Sequence, residues 1–151
     1  MTLPYREGTL FAVPLRQGGF AVGVVARAAV SGRVVLCYFF GPRRMAVPSL
    51  AQVDRPDNSA TVCILRVGDL SLLDGGWPII GPCSLWERSE WPVPAFVRKD
   101  ELACRAWRVE YSDDDPSKVL REHPEPFESA LERDALFGAG AAELVLTRIL
   151  E

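Results

Sequence analysis

Histidine occurs once in the 151 residues, at His123. At most one imidazole-based dyad or triad is therefore available. Its setting, Glu122-His123-Pro124-Glu125, reads as an exposed turn. A catalytic base has to be oriented by a packed third group, so His123 is read as a solvated loop residue that the protein can lose and still function. Neither a Gly-x-Ser-x-Gly elbow nor a Gly-x-x-x-x-Gly-Lys phosphate loop occurs. Gly18, Gly19 and Gly23 join one apolar run to another, with no helix following to receive a pyrophosphate, and so do not make a dinucleotide fingerprint. Cys37, Cys63, Cys83 and Cys104 are far apart and form no C-x-x-C pair. They predict reduced thiols, Cys37 and Cys63 buried in strand-like runs, and no zinc site. Asp113-Asp114-Asp115 lacks the alternating ligands and later glutamate of a calcium loop and reads as a turn. No catalytic residue, metal or cofactor is expected, and the chain is not read as an enzyme.

Two other groups of residues can bind rather than react. The net charge is only −3, but residues 1–109 carry 13 Lys and Arg against 9 Asp and Glu, while residues 110–151 carry 4 against 11. Within that last third, Asp113, Asp114, Asp115, Glu122, Glu125 and Glu128 form an acidic stretch that would suit a basic partner and that argues against nucleic acid as the main one. Trp86 and Trp91 lie in a proline-rich loop, where tryptophan serves either as a lid over a core or as a binding anchor. Both groups are taken as candidate partner-binding residues.

The elements that position them follow from hydropathy and turn residues. Thr9–Leu15 and Phe20–Ala29 flank a glycine turn, and Arg33–Phe40 follows a turn at Ser31-Gly32. These three runs predict an antiparallel meander, with the third strand apolar on both faces and therefore central. Pro14 sits at an edge, a bulge or the end of its strand, and Gly23 marks a bulge or a close approach. Further strands are predicted at 60–67, 77–81 and 105–111, with single helical turns near 48–53 and 70–73. In the sixth strand Trp107, Val109 and Tyr111 share the inward face. Asp115 before Pro116 predicts a helix start, Phe127–Phe137 a short helix, and Ala141–Leu150 a terminal helix whose apolar face is Ala141, Leu144, Val145 and Ile149. The reading is one domain over 1–151, α+β, with a strongly bent, barrel-like antiparallel sheet of about six strands and the last helix packed on it. With 48% hydrophobic residues a substantial core is available. No transmembrane run and no signal-peptide pattern is present in the sequence, so a cytoplasmic location is the expectation.

The run Gly8-Thr9-Leu10-Phe11-Ala12-Val13-Pro14-Leu15, followed by Gly18-Gly19-Phe20-Ala21-Val22-Gly23-Val24-Val25, resembles the opening of the immunity protein 26 family, with Thr9 in place of the usual acid. Trp77-Pro78-Ile79-Ile80-Gly81 and Pro94-Ala95-Phe96 are similar to a second landmark of that family. The resemblance spans residues 6–111. It implies an α+β protein that binds and neutralises a cognate protein toxin, and it carries over no catalytic residue. A nuclease is the toxin class whose basic cleft the acidic stretch would fit. The alternative is a small β-barrel-like module that binds nucleic acid or a small ligand.

Overall fold

A computed structural model of the chain describes residues 2–151. Strands β1 (Thr9–Pro14), β2 (Phe20–Ala28) and β3 (Val34–Arg44) form the expected antiparallel meander. Gly18 and Gly19 hold positive φ in the first turn, and a Cβ on Gly19 would come within 2.8 Å of the Arg44 carbonyl. Gly23 is a close approach rather than a bulge. It faces Phe11 across the ladder, and a Cβ there would lie 2.5 Å from the Phe11 ring. The space lets Phe11 stack on Trp77 at 5.6 Å and meet Phe39 edge-on.

The sheet is completed by β4 (Thr61–Gly68) beside β3 and β5 (Ile79–Pro82) beside β1. After the hairpin of β6 (Phe96–Asp100) and β7 (Arg105–Tyr111), and β8 (Val119–Glu125), a two-residue strand β9 (Leu136–Phe137) adds to β4 in parallel. The order is β5-β1-β2-β3-β4-β9, so the sheet is mixed and open. This corrects the expected barrel-like, wholly antiparallel sheet. β1 lies inside the sheet, so Pro14 is tolerated by its place at the strand's end.

The residues beyond 95 depart furthest from expectation. β6, β7 and β8 form a second antiparallel sheet. Residues 119–125 are strand where a helix start was expected at 115–121, and His123 lies in that strand rather than in a turn. Asp115 does accept from a backbone N–H two residues on, Ser117, at 2.9 Å, but this Asx turn closes a β7–β8 connection rather than capping a helix. Phe127–Ala135 is turn and irregular chain rather than helix; its backbone pairs with Val97 through Glu132 and Asp134.

β3 is covered on both faces, as its apolarity predicts. One face packs on α2 (Leu70–Asp74) and α3 (Ala139–Ile149), around Phe11, Phe39, Trp77 and Leu146. The other packs on the second sheet, on α1 (Leu50–Val53) and on the aromatic-proline loop, around Leu36, Tyr38, Phe96 and Val109. α3 is turned by one residue from the expected face. Ala142, Leu146 and Thr147 are buried, whereas Leu144 is 41% and Ile149 45% exposed. Polar anchors set the rotation: Thr147 Oγ1 accepts from the Arg16 N–H at 3.0 Å and donates to the Glu143 carbonyl, while the Glu143 carboxylate accepts from Trp77 Nε1 at 2.9 Å. Among the described residues no helix is long and apolar enough to cross a membrane.

Candidate partner-binding surface

The acidic run becomes the connection between β7 and β8, and three arginines from elsewhere hold it. Arg27, buried near the end of β2, donates from Nε to the Asp113 carboxylate at 3.2 Å. Arg88, in a short 3-10 turn at Arg88–Glu90, donates to the Asp113 carbonyl and to the Asp114 carboxylate, the latter at 3.2 Å, and also meets Glu7. Arg66, buried in β4, donates from Nε to the Pro116 carbonyl at 2.8 Å. Its guanidinium lies over the Tyr111 ring and pairs with Asp134, which also accepts from the Tyr111 hydroxyl at 2.5 Å. The turn is therefore fixed by charge-assisted bonds to two strands, β2 and β4, and to the Arg88–Glu90 turn.

The carboxylates differ in what remains free. Asp114 keeps 88% of its side chain in solvent and Asp113 64%. The Ser117 hydroxyl and backbone N–H hold the Asp115 carboxyl below the usual carboxylate range. Glu122 points to the other face of β8, where the hydrogen bond from Arg98 lowers its pKa. Glu125 is half-buried and Glu128 exposed. Asp113 and Asp114 thus share one turn, Glu122 lies on β8 in its own ion pair, and Glu128 stands beyond the strand's end.

The tryptophans do a different job. Trp91 is 3% exposed and meets Tyr38 and Phe40 edge-on, at 5.0 and 5.8 Å. It is a core residue and presents no surface to a partner, which corrects its place among the candidates. Trp86 stacks on Trp91 at 5.6 Å and lies against Gly8, so the loop is a lid over the aromatic core. Trp107, expected in the core, is only half-buried, with the Arg98 and Arg105 guanidiniums over its ring.

Beside the acidic turn, a cleft of about 360 Å³ opens between the two sheets and the proline-rich loop. Arg27, Asp113, Arg108, Glu110, Tyr111 and Arg121 contribute to its wall. On the adjoining sheet face, the Glu110 carboxylate lies 3.4 Å from His123, 3.7 Å from Arg108 and 3.8 Å from Arg121. Sequence reasoning passed over these arginines because charged residues in strands carry no motif. The usable signal was a lone Arg27 in Val24-Val25-Ala26-Arg27-Ala28-Ala29 and a lone Arg66 in Ile64-Leu65-Arg66-Val67. A charge within an apolar run needs a partner, and the surplus of acid lies in the last third.

All four cysteines are free. Cys37 is fully buried and Cys63 half-buried, and burial pushes the Cys63 thiol up to about 12. Among the described residues no group of three His, Cys, Asp or Glu is placed to hold a metal ion.

A family model described as immunity protein 26 matches residues 6–108. No curated protein and no solved structure matches the chain.

Proposed function

Because the chain belongs to the immunity protein 26 family, we propose that it binds a cognate protein toxin and silences it as a stoichiometric inhibitor, not as an enzyme. The family match carries this reading. The matched stretch includes Arg27, Arg66 and Arg88, which hold the acidic turn, and ends before the turn itself. In this reading the matched part is the scaffold, and residues 113–128 are what it displays. Four free thiols support a reducing, cytoplasmic setting.

The geometry supports inhibition by charge. Asp113 and Asp114 stand out from a turn that is already ordered, so little conformational entropy is left to lose on binding. Toxins that act on nucleic acid carry a basic cleft, and carboxylates can occupy the positions of phosphates there. Opposite fields also speed the encounter. A nuclease is accordingly the toxin class proposed.

The test is protection. A candidate toxin gene identified beside this one is induced in a heterologous host, with and without this chain. Growth should be restored by the parent and restored less by a variant carrying Asp114→Lys and Glu128→Lys. If the parent gives no protection, the reading fails. If both proteins protect equally, the reading stands but the acidic turn is not the contact.

A further inference from the structure

The face of the second sheet next to the acidic turn has the opposite character. The register of β7 and β8 sets Arg108 opposite His123 and Glu110 opposite Arg121. Alternation along each strand brings all four to one side. Two guanidiniums and an imidazole thus surround one carboxylate. Their separations from Glu110, 3.4 to 3.8 Å, exceed the roughly 2.7–3.2 Å of a good N–H···O bond. Each of the three side chains is about half exposed. Their donors are therefore not consumed within the protein, and each guanidinium alone offers about five. Arg108 lies directly across from His123, so both share the single Glu110 carboxylate with Arg121, a crowding of donors on one acceptor. An additional anion would relieve it.

We propose that Arg108, Arg121 and His123 form a receiving site for a carboxylate side chain of a protein partner, entered from the neighbouring cleft. That this partner is the toxin rests on the function proposed above. The choice of a carboxylate over a nucleic acid follows from the surroundings. Asp113 lines the same cleft, and Asp114 follows it in the turn. They repel an extended polyphosphate, whereas a single carboxylate entering the 360 Å³ cleft, whose wall also carries Asp113 and Glu110, can pair with Arg108 and Arg121, which among the described residues have only Glu110 as a nearby acid. An acidic turn beside a cationic site makes the surface two-signed. A partner must match both signs in register, which selects against toxins that are merely basic.

His123 is the only histidine, so its imidazole is a unique reporter. The experiment follows its ¹H–¹⁵N signals at fixed pH and ionic strength during titration with an end-blocked triglutamate peptide. Parallel titrations use a thymidine decanucleotide. Saturable shifts are expected for the peptide, with affinity reduced roughly tenfold or more in Arg108→Gln/Arg121→Gln. The single variant Arg121→Gln serves if the double variant does not fold. Absence of a saturable shift would reduce the cluster to a structural ion network and overturn the proposal. So would equal affinity in parent and variant, or tighter binding of the oligonucleotide. No toxin enters this assay, so its failure leaves the protection reading untouched, and failed protection with a saturable shift leaves the site standing.

Discussion

Arg27 and Arg66 each place a charge inside an apolar strand, and each is buried and answered by a carboxylate from the last third of the chain. Removing the answer exposes the cost. Asp113→Ala leaves Arg27 without its ion pair and should lower stability by about 1–3 kcal/mol in urea denaturation, as losing a bond to a charged group does. Asp114→Ala, at a side chain almost wholly in solvent, should change it by less than about 0.5 kcal/mol. Charge reversal across all of Asp113, Asp114 and Asp115 would therefore confound binding with folding, and Asp114 and Glu128 are the clean positions. Tyr111 gives a pH signature. Burial, then its hydrogen bond to Asp134, pushes its phenol up to about 12. The folded protein then keeps a proton that the unfolded chain releases near pH ~10. The stabilisation is complete below that pH and is lost as pH rises toward the folded value. Denaturation midpoints should fall over this alkaline window, and Tyr111→Phe should make the fall shallower. The acids themselves were legible as a run. Their partners were not, because pairing across 24 to 86 positions leaves no periodic trace in the sequence.

At the level of elements, strands bounded by glycine and proline were read to within two or so residues, except that β3 runs on to Arg44. The errors have specific causes. α3 carries apolar residues around most of its circumference, so helical spacing alone admits several inward faces. Thr147 and Glu143, through Arg16 and Trp77, select among them. Leu146→Ala should accordingly cost ~2–5 kcal/mol by thermal denaturation, while Leu144→Ala should cost less than ~1 kcal/mol. In β8 the misleading signal was Asp115-Pro116, which suits a helix start and an Asx turn equally. Backbone pairing with β7 decides between them, and no sequence window contains both strands' ladder. Pro124 is compatible with the strand because β8 is an edge. The candidate site was half visible for the same reason: the turn is local, but the four-residue ionic face exists only through register.

Across the whole molecule, the two sheets meet through one aromatic seam in which Tyr38, Phe40, Trp91, Phe96 and Tyr111 pack together. The Tyr38 hydroxyl also donates to the Pro92 carbonyl, tying the lid to the meander. A shared seam couples the fates of the sheets. Trp91→Ala should cost about 3–5 kcal/mol, and near-ultraviolet and far-ultraviolet circular dichroism should lose signal together on heating. Separate transitions would show that the second sheet melts alone. β8 stands apart from this seam: six of its seven side chains face solvent, and its position is set by main-chain bonds and by the turn that Arg27, Arg66 and Arg88 hold. Replacements along it disturb little of the buried packing that β1 to β3 carry. This one strand can therefore change residue by residue while the core stays as it was.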